Sequence, residues 1–338
     1  MYELLMEYGL FLLKAITVLV VILIIIGAAA TAKKKSTSGE LKITSLNEKF
    51  QRLKKAIQEA TLDKKVLKKE LKAKKKAEKE KQKKQKNDEE TANTRLFVID
   101  FEGDIKASSV PSLREEITAI LAASKPDDEV LVRLNNSGGV VHEHGLAASQ
   151  LVRLKQADLS LTVAVDKVAA SGGYMMACVA DKILSAPFAI VGSIGVVAQL
   201  PNFHRLLDKA GVDFEQHTAG EYKRNVTMFG KNTKKERDQL KEQLEDIHDL
   251  FRGFVTDYRP SLDMKEVGTG QYWYGSRAKE LGLVDDIMTS DDFLATAANE
   301  KDIFQVKYEF EKTLMEKFSR GGAQLFEKAV NKLAKVES

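Results

Sequence analysis

Two serine- and glycine-bearing stretches of this 338-residue chain have the residue types that acyl transfer needs. One is "AASGGYMMA", residues 169–177, where Ser171 stands between two alanines and two glycines just before an apolar run. The other is "NNSGGV", residues 135–140. A serine hydroxyl is a weak nucleophile until a base takes its proton, and the tetrahedral intermediate needs backbone N–H donors aimed at its oxyanion. Glycine offers such donors with the least steric obstruction. At the first turn of a helix, Ser171 would set the Gly172 N–H and the positive helix end beside the attacked carbon. Gly139 would supply a second donor across the cleft. The competing reading is a serine that caps its helix and glycines that permit close packing.

The base is harder to find. The five histidines are His142, His144, His204, His217 and His248. His142 and His144 sit at i, i+2, a spacing that does not share a helix face, and no downstream cluster completes a metal site. No metal and no cofactor is therefore expected, and the two residues have no assigned role. His248 falls in a Lys-, Glu- and Asp-rich helix over residues 233–254, where a solvated face is the simpler reading. A lysine serves as base only when its amine is unprotonated, which gives an optimum at neutral to alkaline pH. Lys223, in "AGEYKR" after an expected strand over residues 213–218, is one such lysine, and composition alone does not single it out. Ser276 and Lys279 match a Ser-x-x-Lys pattern, but the Ser-Asp-Asn and Lys-Thr-Gly partners of that chemistry are absent, and "YGSRAKELGLVDD" reads as a short helix ending at Gly282.

The elements that must position these residues alternate. "RLFVIDF" (95–101), "DEVLVRL" (128–134) and "LSLTVAV" (159–165) read as buried strands, and residues 112–123, 144–155 and 170–180 as helices. Such alternation implies right-handed βαβ units and a mostly parallel sheet, with sites at the carboxyl ends of the strands. Both glycine pairs fall there.

Ahead of this body, residues 15–32 hold no charge and are rich in Val, Ile and Leu, enough to cross a bilayer as a helix. Ala30-Thr31-Ala32 has the form of a signal cleavage site, but Glu3 and Glu7 replace a positive leading segment, which favours a retained anchor. Residues 33–90 carry 21 Lys and Arg against 10 Asp and Glu, whereas the net charge of the chain is only +4. The body is therefore mildly acidic and a poor nucleic-acid binder, and anionic lipid headgroups are the nearer partner for the lysines. Leu46, Phe50, Leu53, Ile57 and Ala60 step by 4, 3, 4, 3 along a helical stalk. Lys33, Lys34, Lys35 and Lys42 after the span put the body in the cytoplasm by the positive-inside rule. The single cysteine, Cys178, excludes an intrachain disulfide and reads as a core residue.

The blocks "SLREEITAILAASKP", "GLAASQLVRL", "LTVAVDKVAASGGYMMACVADKI", "SAPFAIVGSIGVVAQLPNF", "HTAGEYKR" and "WYGSRAKELGLVD" resemble the signal peptide peptidase A / SohB family of serine peptidases. The resemblance implies an α/β, ClpP/crotonase-like fold of repeated βαβ units with a mostly parallel sheet, preceded by a transmembrane helix and a Lys-rich stalk. It implies an anchor over residues 1–32, a stalk over 33–93, a peptidase domain over 94–300 and a strand and helical tail over 301–338. It places the nucleophile on Ser171, the general-base lysine on Lys223 and the oxyanion donors on the backbone N–H groups of Gly139 and Gly172, with Ser193 helping to orient the lysine. It further implies a homo-oligomer that encloses its sites, at the bacterial cytoplasmic (inner) membrane. Its substrates would be membrane-associated or signal-peptide-like peptides with small or apolar side chains. Many relatives work outside the cytoplasmic membrane, against the orientation that the lysines give. Where the family usually has Ser-Pro-Gly-Gly this chain has Asn136-Ser137-Gly138-Gly139, which opens the alternative of an inactive peptidase-like scaffold. A CoA-binding enzyme of the same fold is the third reading.

Overall fold

The computed structural model describes residues 8–19, 39–63, 94–220, 222–223 and 226–310. Residues 8–19 are helical, and most of the expected span, residues 20–32, lies outside the described residues. So do the lysine run over residues 72–86 and residues 311–338 of the expected strand and helical tail over 301–338. No helix among the described residues is long and apolar enough to cross a membrane.

Residues 42–307 form one compact unit. Its main sheet has seven strands in the order β1-β10-β2-β3-β4-β6-β9: β1 (Gly39–Ser45), β2 (Arg95–Glu102), β3 (Glu129–Asn135), β4 (Ser160–Val165), β6 (Lys182–Ser185), β9 (Asp286–Ile287) and β10 (Asp302–Phe310). From β10 through β9 every pairing is parallel. Parallel sheets are covered on both faces, and the strands show it: Leu96 to Ile99 and Leu161 to Val165 are buried without a break. A second sheet, β5 (Val168–Ala170), β7 (Ile190–Gly192) and β8 (Tyr272–Tyr274), pairs β5 with β7 in parallel and β7 with β8 antiparallel. A bridge from Asn136 to Ala169 joins the end of β3 to this second sheet. The α/β class and mostly parallel sheet agree with the sequence reading.

The helices cover the sheet as their apolar spacing requires. In α2 (Val110–Ala123), Pro111 occupies the first turn, where a missing N–H costs nothing. Val110, Leu113, Ile117 and Ile120 are its buried stripe. Its cap position, Ser109, uses its hydroxyl on the Glu102 carbonyl rather than on the helix. Helix α3 (Val141–Gln156) begins three residues before the expected start, which brings His144 into its first turn. Helix α4 (Gly172–Ala177) is buried nearly all round, as a helix inside a core must be, and Tyr174 Oη donates to the Leu283 carbonyl at 2.9 Å. The expected stalk helix is α1 (Leu46–Thr61). Leu46 and Phe50 pack with Leu96, Val98 and Ile303, while Leu53 and Ile57 are exposed. Residues 39–61 thus contribute a strand and a docked helix to the body.

Two elements differ from the sequence reading. Residues 213–218 form no strand and pair with no strand among the described residues; Phe214 packs on Phe229 with ring centroids 5.9 Å apart. Around them, α5 (His204–Lys209) and its flanks expose Val197, Leu206, Val212 and Tyr222. The long helix α6 (Lys234–Tyr258), opened by a Thr233/Glu236 capping box, turns His248 inward, with Nε2 3.1 Å from the Ile194 carbonyl. His248 is thus half-buried and hydrogen-bonded rather than fully solvated.

Candidate active site

Ser171 is the hinge between β5 and α4. Its backbone has φ 52° and ψ −119°, a left-handed conformation that costs a non-glycine residue about 1–3 kcal/mol and persists only where its surroundings enforce it. They do so from three sides. The Ser171 N–H donates to the Gly192 carbonyl at 2.8 Å, the Met175 N–H donates to the Ser171 carbonyl at 3.0 Å, and the Ala170 N–H donates to the Asn136 carbonyl at 3.0 Å. Although Ser171 occupies the cap position of α4, its side chain makes no cap hydrogen bond. The capping reading therefore does not account for this serine. A hydroxyl held on a strained strand-to-helix turn is the arrangement of a nucleophile elbow.

The loop after β3 lies against this turn. Gly138 has φ +86°, and a Cβ there would stand 2.8 Å from Ser171 Cβ, from the Gly172 nitrogen and from the Ala170 carbonyl. A Cβ on Gly139 would meet the Ile105 carbonyl at 2.2 Å. Gly138 donates its N–H to Asn136 Oδ1 at 2.9 Å, and Val140 donates to the Ile105 carbonyl at 2.8 Å. Among the described residues, the N–H groups of Gly139 and Gly172 have no acceptor. These are the two N–H groups named from the sequence: Gly172 follows Ser171 directly, and Gly139 follows Gly138, whose turn packs on Ser171. Ser193 follows Gly192, adopts φ 53° and donates its N–H to the Gln271 carbonyl at 2.7 Å. It adjoins the same cluster.

Lys223 is exposed, in a turn where the Gly220 carbonyl (φ +99°) accepts its N–H at 3.2 Å. Among the described residues no hydrogen bond joins its side chain to Ser171. The Ser-x-x-Lys pair is otherwise engaged: Ser276 donates to the Pro187 carbonyl and Lys279 pairs with Asp286 at 2.9 Å. Burial pushes the Cys178 thiol up, out of reach of reactivity at neutral pH.

Two residues that sequence reasoning left without a role hold the loop. Asn136 is buried; its side-chain oxygen accepts from Gly138 and faces His144 Nε2 at 3.2 Å, and its amide donates to Met176 Sδ at 3.4 Å. His144 is fully buried, with Nδ1 3.0 Å from the Val140 carbonyl. His142, two residues earlier, has a side chain that is 82% exposed, so the two rings share no site. An Asn two residues before a glycine of positive φ is a turn signal that can be read from sequence. Nothing in the sequence signals the histidine.

Two family models match in succession: peptidase family S49 N-terminal over residues 3–151, and peptidase family S49 over residues 153–304. The chain belongs to peptidase family S49. It is 49% identical over 338 residues to a Haemophilus influenzae protein named "Probable protease SohB", covering 97% of this chain and 95% of that one. A Buchnera aphidicola (subsp. Schizaphis graminum) protein of the same name is 48% identical over 320 residues, covering 94% of each. Among solved structures, a lysine-to-alanine mutant of a membrane-bound stomatin-specific protease, in complex with a substrate peptide, aligns with TM-score 0.44 and 12% identity over 68% of this chain and 97% of that one. Within the S49 sequence, the Asn136-Ser137-Gly138-Gly139 loop keeps both glycines, and the Asn136 side chain supplies a restraint on the turn where the resemblance leads one to expect proline.

Proposed function

We propose that this S49 peptidase is a membrane-anchored serine endopeptidase with a Ser171–Lys223 dyad. The observation that carries the reading is the uncapped hydroxyl of Ser171 on a strained turn between β5 and α4, with the Gly138–Gly139 turn packed against it and the Gly139 and Gly172 N–H groups without acceptors among the described residues. In the forward step the Lys223 amine takes the Ser171 proton as Oγ attacks the peptide carbonyl carbon. The resulting oxyanion is held by the Gly139 and Gly172 N–H groups. Collapse breaks the C–N bond, and the proton on Lys223 passes to the leaving amine. Water, deprotonated by the same amine, then attacks the Ser171 acyl carbon; the ester C–O bond breaks, and the proton on Lys223 returns to Ser171 Oγ as the acid product leaves. Ser193 orients the lysine.

The substrates of this reading are membrane-associated or signal-peptide-like peptides with small or apolar side chains, held near the bilayer by the apolar segment over residues 15–32. The chain would sit in a bacterial inner membrane through that single span. Lys223 is exposed in one chain, and a base lysine needs cover, which a homo-oligomer enclosing its sites would provide. The domain plan is an anchor at 1–32, a stalk at 33–93, a peptidase domain at 94–300 and a tail at 301–338, with β1 and α1 of the stalk region docked on the peptidase.

Cleavage of a fluorogenic peptide with a small apolar residue before the scissile bond tests this in the full chain. Wild type cleaves it, and Ser171→Ala and Lys223→Ala each lose at least about 10³-fold in kcat. Full activity in either variant overturns the dyad.

A further inference from the structure

We propose that His144 is a positioning residue for the oxyanion loop, its Nε2–H holding Asn136 Oδ1 so that the Gly138–Gly139 turn keeps its donor aimed at the reacting carbonyl. The inference rests on the reading of Gly139 and Gly172 as the oxyanion donors.

The geometry is specific to an imidazole lying in one plane. The ring lies where a Cβ on Gly172 would be: that atom would meet His144 Cγ at 2.4 Å and Cδ2 at 2.6 Å. Gly172 is thus glycine for a second reason, to seat the histidine under the turn that carries Ser171. Gly103 does the same for the other partner, since a Cβ there would meet Asn136 Cγ and Oδ1 at 2.3 Å. Asn136 Oδ1 is fixed as an oxygen by the Gly138 N–H at 2.9 Å; an amide turned the other way would set two donors against each other. An oxygen at that point requires a proton on His144 Nε2, 3.2 Å away. The carbonyl of Val140, on the far side of the same loop, accepts the His144 backbone N–H at 3.1 Å and lies 3.0 Å from Nδ1, so the ring donates to both oxygens only when each of its nitrogens carries a proton. One buried ring therefore touches both ends of the Gly138–Gly139 turn, at Asn136 and Val140, and the first residue of α4. A rotation of the turn would carry the Gly139 N–H off the oxyanion while leaving the peptide-binding surface in place. Loss of the brace therefore lowers kcat rather than raising KM.

Two amide replacements separate this role from packing. Glutamine carries its nitrogen about as far from the backbone as imidazole Nε2, and asparagine about as far as Nδ1. In the full-length chain, His144→Asn is expected to lower kcat between about 10- and 100-fold with little change in KM, the usual scale for a misplaced group in a site. His144→Gln, which restores the donor to Asn136, keeps kcat close to wild type. Equal kcat in the two variants, or a loss carried by KM, overturns the inference. If either variant melts below the assay temperature, Asn136→Asp and Asn136→Ser read the same bond from its other end: Asp keeps an oxygen toward both Gly138 and His144 and keeps activity, Ser cannot reach both and loses it, and equal activities overturn the proposal. Ser171→Ala, assayed alongside, tells the two failures apart. If it is inactive while the Asn and Gln variants match, only the role of His144 falls; if it is active, the reading of the site falls and this inference with it.

Discussion

The Ser171 N–H donates to the Gly192 carbonyl at 2.8 Å, and Ser171, Gly192 and the next residue, Ser193, all have positive φ. The bond continues the parallel register in which Ala170 pairs with Gly192. The second sheet thus ends in two serines, each turned out of the strand conformation where its strand stops. The strain at Ser171 is sustained by this ladder and by the first turn of α4, so the proposed nucleophile is fixed by backbone hydrogen bonds, while its side chain makes no cap hydrogen bond to the helix.

The Gly138 turn is where a single methyl group should do most harm. Gly138→Ala places a side chain at φ +86° and within 2.8 Å of the Ala170 carbonyl and the Gly172 nitrogen, all of them backbone that has nowhere to move. The expected stability loss is about 1–3 kcal/mol. Thermal melting measures it, and kcat should fall about 10²-fold if the displaced atoms carry the proposed oxyanion donors. A variant of unchanged kcat would show that the loop is not part of the site.

Ser137→Pro should be tolerated. Ser137 is exposed and its N–H has no acceptor among the described residues, so a proline there breaks no hydrogen bond. The gain expected from a stiffer unfolded chain is about 0.4–1 kcal/mol. Activity should stay within a few-fold of wild type, because Asn136 already restrains the turn. Chemical denaturation with urea, followed by the peptide assay, tests both halves.

Asp128 should set part of the acid limit of stability. Burial pushes its carboxyl up, but hydrogen bonds from Arg95 Nε at 3.0 Å and Nη2 at 2.5 Å and from the Lys125 N–H at 2.7 Å, with the Arg95 charge, outweigh burial and hold it below the usual carboxylate range. A lowered folded-state pKa contributes stability that is fully present above the unfolded value near ~3.9 and is lost as pH falls through the folded one. Asp128→Asn should cost roughly 2–4 kcal/mol at pH 7, since it leaves Arg95 without its buried carboxylate. Its melting temperature should then depend less on pH below about 5 than that of wild type. Parallel pH dependences in the two proteins would contradict this.

How much of this was legible beforehand follows from what each element depends on. The strands β2, β3 and β4 and the helices between them could be read because their apolar runs and stripes are local patterns, and Ser171 stands out for its glycine neighbours. Residues 213–218 misled because Val212 and Phe214 alternate with polar residues as in a strand, yet their apolar partner is Phe229 rather than a neighbouring ladder. His248 read as a surface residue because its own helix is highly charged; only the fold brings the Ile194 carbonyl to it. His144 was illegible for the same reason. Its three contacts come from the end of β3, the following loop and α4, and no local pattern announces a ring that must fit where Gly172 has no side chain. Gly138 and Gly139 were recognisable, whereas the reason each must be glycine is a property of the packed loop.

The central claim, that Ser171 is the nucleophile, is tested most directly by treating the full-length protein with a serine-directed fluorophosphonate and locating the added mass by peptide mass spectrometry. The account predicts a single adduct on the peptide containing Ser171, absent in Ser171→Ala and formed at least about 10²-fold more slowly in Lys223→Ala. An adduct on any other serine, or undiminished labelling of Ser171→Ala, would contradict it.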